Sequence, residues 1–248
     1  MDMTRPQLRS TRVLVTGGTS GLGRAMAAAL VEAGARVMVT SRDRPRAEAA
    51  AAEIGAVGIE LDVRDERSVA AGVQAAYEQL GGVDVLVSNA GIGMRTVNPS
   101  FLTHPLGFWE VSPEGFLDVM QTKVTGSFLV VRCVVPRMLQ DGGGRIVMIS
   151  MNTQTMTRRG FVPYGPSGAA LEALARVMAA DLDGTSVRVN LLLPGGATAT
   201  GMVPDDVPAD VRGQLLHPSI MGPPIVWLCS PAAAEVHNQR IVATEFKR

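Results

Sequence analysis

Thr16-Gly17-Gly18-Thr19-Ser20-Gly21-Leu22-Gly23 decides how the rest of the chain is read. A short apolar run, residues 13–16, leads into it, and an Ala-rich stretch of good helix formers, residues 21–33, leads out. A strand that turns sharply into a helix needs residues without a Cβ at the turn. The same glycines let the backbone approach a pyrophosphate, which then sits on the helix N-terminus. A lone glycine pattern is weak evidence. Here the strand before it and the helix after it supply the context that gives it meaning.

Working outward, runs rich in Val and Ile recur at residues 37–40, 57–61, 85–88, 145–150 and 187–193, with a short last one near 240–243. Bounded by Gly or Asp, they read as strands buried on both faces of a parallel sheet. Helical patterns fill residues 45–54, 68–80, 113–139, 164–182 and 220–228. This alternation predicts right-handed βαβ crossovers and an α/β fold: a doubly wound parallel β-sheet in a Rossmann-type three-layer α/β/α sandwich. No repeat or linker divides residues 1–248, so one domain is expected, with residues 1–10 as a flexible N-terminus. Two stretches break the rhythm, 91–112 and 194–218. Long irregular connections in a compact domain are commonly binding loops or lids. The first holds Met94, Phe101, His104, Pro105, Phe108 and Trp109; His104 and, in the second, His217 are candidates to touch a ligand.

Of the 248 residues, 46% are hydrophobic and 19% charged, which fits a globular chain and not a disordered one. Twenty-three basic residues balance 23 acidic ones, which gives no electrostatic reason to expect nucleic acid or a membrane surface as partner. No apolar run reaches the length of a membrane span and the polar start has no signal-peptide core, so a cytoplasmic protein is expected. Cys133 and Cys229 lie in apolar stretches and read as buried free thiols. His104, His217 and His237 show no metal-ligand spacing, and no metal is expected.

The motif T-G-x-x-x-G-x-G resembles the glycine motif of the short-chain dehydrogenase/reductase family, and further matches follow in order. Asp62-Val63 ends the third strand, Asn89-Ala90-Gly91 ends the fourth, Tyr164 opens a helix after the fifth, and Pro194-Gly195 follows the sixth with Thr198 and Thr200 behind it. The similarity spans nearly the whole chain. It implies that Gly17, Thr19, Ser20, Gly21, Leu22 and Gly23 hold a nicotinamide dinucleotide, with Asp62 and Val63 at the adenine, Asn89, Ala90 and Gly91 beside them, and Pro194, Gly195, Thr198 and Thr200 beyond. NAD-using members carry an Asp at the end of the second strand. Here Ser41 stands there, followed by Arg42. A hydroxyl and a guanidinium suit a 2′-phosphate that a carboxylate would repel, so NADP(H) is expected. Arg44 and Arg46 add positive charge nearby.

The resemblance also implies a Tyr as general acid/base, a Lys four residues later, a Ser about thirteen residues earlier and an Asn on the preceding helix. Tyr164 matches the first. The other three positions hold Gly168, Met151 (with Ser150 one step off) and Lys123. A lysine is thus lost at 168 and gained at 123, positions that the family fold makes neighbours. Two readings stay open: Lys123 threads its ammonium into the space left by Gly168 and restores a cation beside Tyr164, or it merely snorkels from its helix. Ser150, Asn152 and Thr153 are candidates to meet a substrate oxygen, and Arg158 and Arg159 a carboxylate or phenolate. The expected function is an NADP(H)-dependent oxidoreductase acting on a hydroxyl or carbonyl of a small, largely apolar or aromatic metabolite, with Tyr164, Lys123 and Ser150 in the catalytic set. The alternatives are a non-redox cyclase, dehydratase or isomerase with a structural nucleotide, or an inactive nucleotide-binding member. A homodimer or homotetramer is implied, pairing through 113–139 and 164–182, where Ala169, Ala170, Ala173 and Ala180 permit close helix approach. Residues 244–248 depart from the Gly-rich ending common in the family.

Overall fold

The computed structural model describes residues 8–247. Seven strands, β1 (Arg12–Val15), β2 (Arg36–Ser41), β3 (Val57–Glu60), β4 (Val85–Ser88), β5 (Gly144–Ile149), β6 (Val187–Leu193) and β7 (Arg240–Val242), form one sheet. Its order is β3-β2-β1-β4-β5-β6-β7 and every neighbouring pair is parallel. The strands are apolar throughout because both faces are covered. Leu14, Met38, Leu86, Ile146, Met148 and Leu191 point to one side, where α3 (Glu66–Leu80), α5 (Gly126–Gln140) and α7 (Tyr164–Asp181) pack. Val13, Val15, Val37, Val39, Val85, Val87 and Val147 point to the other, against α1 (Gly21–Glu32), α2 (Arg44–Ala52) and α9 (Gly222–Cys229). The expected three-layer doubly wound architecture is thus the one observed.

Helix starts follow their caps. Asp43 accepts from the Arg46 N–H at 2.7 Å and starts α2 at Arg44, while Asp65 accepts from the Ser68 N–H at 2.7 Å and starts α3 at Glu66, two residues before the periodicity suggests. The expected single helix over 113–139 is interrupted. It divides into α4 (Pro113–Met120), a π-helical turn (Gln121–Thr125) and α5. Thr122 donates its hydroxyl to the Asp118 carbonyl at 2.7 Å inside this widened stretch. Below it, Gly126 sits so close to Val63 that a Cβ there would lie 2.6 Å from Val63 Cγ2. The irregular connections hold short elements of their own: 3-10 turns at Met94–Thr96 and Phe108–Glu110 in the first, and α8 (Ala209–Arg212) in the second, with α6 (Thr153–Met156) between β5 and α7.

The flexible start expected for residues 1–10 falls largely outside the described residues, and the part within them is ordered by contacts. Leu8 is buried at 1% exposure, donates its N–H to the Ala33 carbonyl at 2.8 Å and accepts from the Thr11 N–H at 2.9 Å. A single leucine among polar neighbours carries no periodicity, so the sequence pattern gives no sign of it. Leu8→Ala is expected to cost about 2–5 kcal/mol, the usual range for emptying a buried leucine site. A denaturant melt within 0.5 kcal/mol of wild type would show that this segment does not belong to the core.

Candidate active site

The site lies where the strand order reverses, between the carboxyl ends of β1 and β4. Gly17 and Gly21 take φ of +63° and +54°, a region that favours glycine. A Cβ on Gly23 would meet Asn89 Nδ2 and Gly17 O, each at 2.4 Å. The Asn89 side chain donates to the Thr16 and Gly17 carbonyls at 3.1 and 3.0 Å, while the Asn89 and Ala90 N–H groups donate to Thr16 Oγ1. These bonds lock the turn from both sides. No side-chain cap from Ser20 covers the start of α1, and its first turn holds no acidic residue. Its open N–H groups and dipole form a cradle that fits a dinucleotide pyrophosphate. Thr19 and Leu22 are part-buried in this turn, and Thr200 packs its Cγ2 against Gly21.

At the end of β2, Ser41 Oγ accepts from the Asp43 N–H at 3.3 Å. Arg42 is exposed and has no ion-pair partner among the described residues, whereas Arg44 reaches Glu60 at 3.7 Å. Asp62 sits across from them. Burial opposes its ionisation, but the Arg64 N–H and guanidinium, with Arg42 nearby, hold its carboxyl below the ordinary value. Val63 backs this corner against Gly126. A Cβ on Gly91 would meet the Asn89 carbonyl at an ordinary 3.8 Å, and Gly195 takes φ +93° where a Cβ would strike Thr244. Pro194 accepts from the Thr244 N–H at 3.3 Å and Thr198 Oγ1 bonds to the Gly196 carbonyl at 3.2 Å. All the candidate nucleotide residues therefore line one edge of the sheet.

Lys123 and Tyr164 come together. The Lys123 ammonium lies 4.6 Å from the Tyr164 ring centroid, over its face, and the residue is only 7% exposed. It does not occupy the space beside Gly168. Met151 fills that space, since a Cβ on Gly168 would meet its Sδ and Cε at 2.7 Å. The Tyr164 hydroxyl turns toward Met202 Sδ at 3.9 Å. Burial pushes the phenol above its ordinary value, and the cation on the ring face does not bring it down. Burial also lowers the lysine to about 8, with Glu172 opposing the shift.

Other candidates are placed elsewhere. Ser150, expected to face a substrate oxygen, instead donates to Glu172 Oε1 at 2.5 Å, and Arg240 holds the same carboxylate at 2.9 and 3.2 Å while bonding the Met151 carbonyl at 3.0 Å. Asn152 donates to the Gly195 carbonyl at 3.0 Å, Thr153 opens α6, and Arg158 stacks over Phe161 at 5.0 Å. His104 bonds Thr103, His217 caps the turn at Ser219, and His237 bridges Val189 and Ala179 within the frame. His217 also lines a cavity of about 730 Å³ between α1 and residues 199–219, which borders Gly21 and Thr200 and does not include Tyr164. Two groups escape sequence reasoning. Met202 covers Tyr164, and Arg95 ties that segment down through the Gly201 and Val203 carbonyls and Asp205. Glu172 was findable, because Tyr164, Gly168 and Glu172 repeat every four residues on one helix face.

Residues 11–210 match the family model described as short chain dehydrogenase. The chain belongs to this family of nicotinamide-dependent oxidoreductases. It is 31% identical over 241 residues to the 3-oxoacyl-[acyl-carrier-protein] reductase of Aquifex aeolicus, covering 92% of this chain and 93% of that one. A 2,5-dichloro-2,5-cyclohexadiene-1,4-diol dehydrogenase of Sphingobium indicum is 34% identical over 201 residues, 78% of this chain and 76% of its own. Among solved structures, the 3-ketoacyl-(acyl-carrier-protein) reductase of Brucella melitensis complexed with NADH superposes with a TM-score of 0.83 at 29% identity, over 95% of this chain and 97% of that one.

A buried ammonium with a lowered pKa has a consequence for stability. The unfolded chain binds a proton at residue 123 more tightly than the folded one, so stability rises as pH climbs from about 8 toward 10.5 and the full cost applies below that window. Lys123→Met is therefore expected to raise stability at pH 7 by about 2–3 kcal/mol, a gain that shrinks toward pH 10. Urea melts at pH 7 and pH 10 measure it, and an equal difference at both would contradict the buried, shifted lysine.

Proposed function

We propose that this protein is an NADP(H)-dependent oxidoreductase acting on a hydroxyl or carbonyl of a small, largely apolar or aromatic metabolite. The observation that carries the reading is the Lys123 ammonium 4.6 Å from the Tyr164 ring centroid, at the carboxyl edge that also bears the glycine turn. Gly17, Thr19, Ser20, Gly21, Leu22 and Gly23 would hold the pyrophosphate on the start of α1. Ser41 and Arg42 would take the 2′-phosphate, Asp62 and Val63 the adenine, and Asn89, Ala90, Gly91, Pro194, Gly195, Thr198 and Thr200 the remainder. When bound, the nicotinamide supplies or accepts the hydride, and Tyr164 and Lys123 hold the substrate oxygen and its proton. Met94, Phe101 and Phe161, with Val97 and Leu102, pack around Tyr164 and favour an apolar or aromatic substrate body. The same reading makes the protein a cytoplasmic homodimer or homotetramer. Exposed Ala169, Ala173 and Ala180 on α7 and half-exposed Phe128 on α5 are the surface it would use.

A second reading, a non-redox enzyme with a structural nucleotide, is favoured by one feature: the Tyr164 hydroxyl faces a thioether and has no cation at its oxygen. Absorbance at 340 nm with a panel of ketones and alcohols separates the two, since only the first consumes or forms reduced nicotinamide. Arg42→Glu should weaken NADP more than NAD, by about ten- to a hundredfold in dissociation constant, because a charge-assisted contact is worth about 1.5–3 kcal/mol. Equal losses for both nucleotides would remove Arg42 from the 2′-phosphate.

A further inference from the structure

Two of the chain's 23 basic residues are lysines, Lys123 and Lys247. Elsewhere this sequence meets its need for a fixed positive charge with arginine. Arginine stays charged at any accessible pH, while lysine is the cation that releases a proton when buried. The lysine at 123 is placed where that difference matters. It sits within the π-helical turn between α4 and α5, 7% exposed, and its ammonium donates no hydrogen bond among the described residues. Its contact is the face of Tyr164. An ammonium this far withdrawn from water, with no protein acceptor among the described residues, keeps its N–H donors free for an oxygen that a ligand brings.

The charged groups around it do not fill that need. Glu172 of α7 acts on Lys123 electrostatically, but its carboxylate is held by Ser150 and Arg240. Asp118 of α4 is turned to Arg64 at 3.5 Å, and Arg132 of α5 to Glu66 at 2.6 Å. Tyr164 meanwhile is poorly prepared for proton transfer. A cation over the ring face is attracted to the quadrupole and does little for an oxyanion at the ring edge. The hydroxyl itself rests against Met202 Sδ, a weak acceptor.

We propose that Lys123, and not Tyr164, is the residue that delivers and recovers the proton at the substrate oxygen, with Tyr164 as the platform that seats its ammonium. This rests on the oxidoreductase reading above. In the reducing direction the carbonyl carbon takes the hydride supplied by reduced nicotinamide and the oxygen takes a proton from Nζ. The C=O π bond is lost, a C–H and an O–H bond form, and Lys123 is left as a neutral amine that water reprotonates. Oxidation runs the same transfers backward. A lysine lowered to about 8 sits near working pH, where an acid/base is most effective. Met151 in the place beside Gly168 closes the route by which a cation at 168 would reach the phenol, so the two substitutions support one arrangement.

The test uses the full chain with ε-¹³C-labelled lysine, which gives two side-chain signals, and Lys247→Arg identifies that of Lys123. This signal should titrate near pH 8, and kcat/KM for ketone reduction with NADPH should fall as pH rises through the same value. Lys123→Arg keeps the charge but gives up no proton, and should lose about a hundredfold or more in rate along with the inflection. Tyr164→Phe keeps the ring, should lose less than Lys123→Arg and should retain the inflection. The proposal is overturned if Tyr164→Phe removes both rate and inflection while Lys123→Arg keeps them, or if the Lys123 signal titrates only above pH 10. The titration and the Tyr164→Phe profile decide this even if the arginine variant does not fold. Absence of turnover in wild type would instead overturn the oxidoreductase reading itself, and this assignment with it.

Discussion

Asn89 stands at the end of β4, and its carboxamide donates to the carbonyls of Thr16 and Gly17 at the end of β1. β1 and β4 are neighbours in the sheet although two other strands intervene in sequence, so their crossovers leave in opposite directions and a crevice opens above them. A turn at that point leaves carbonyls with no ladder partner, and the Asn89 amide satisfies two of them. Because it approaches so closely, no side chain fits at Gly23, and α1 is free to begin with uncovered N–H groups. The open start of α1, and every group arranged around it, depends on this stitch between strands.

The sheet and its layers were legible because the strands are apolar on both faces and each is bounded by turn residues. The glycine turn was legible because sterics allow few other residues there. The catalytic corner was legible in composition and not in geometry. That Lys123 and Tyr164 approach each other follows from the family resemblance. That the ammonium lies on the ring face, from within a π-helical turn, leaves no trace in the apolar pattern. Leu8 was missed because one docked leucine has no period. The tie between Arg95 and Asp205 was missed because the partners stand 110 residues apart and no local signal links them.

Lys123, Met151 and Gly168 stand together around the start of α7. A glycine on a packed helix face leaves a space, and unfilled voids in packed interiors cost stability. Met151 occupies it with a flexible thioether, which adapts to irregular gaps. The positive charge of this corner stands on the turn between α4 and α5. Keeping a buried cation of lowered pKa works against stability at neutral pH, so a chain under selection for stability alone would have a methionine or leucine there.

The segment after β6 packs against the tyrosine that carries this cation on its ring face. Residues 201–205 lie over Tyr164, with Met202 against both its hydroxyl and Gly93. The segment is tied by Arg95 to Asp205 at 2.5 Å and by Thr103 to Asp206 at 2.5 Å. Asp205 is largely exposed, and exposed pairs of this kind contribute about 0–1 kcal/mol each. Such ties order the segment without locking it. Tyr164 itself packs against an apolar cluster of Met94, Phe101 and Phe161, which excludes solvent from its ring. A segment held this weakly at its rim would open to a ligand at small cost. In surroundings this dry, a charged hydrogen bond from Lys123 to a ligand would be far stronger than the same bond in water.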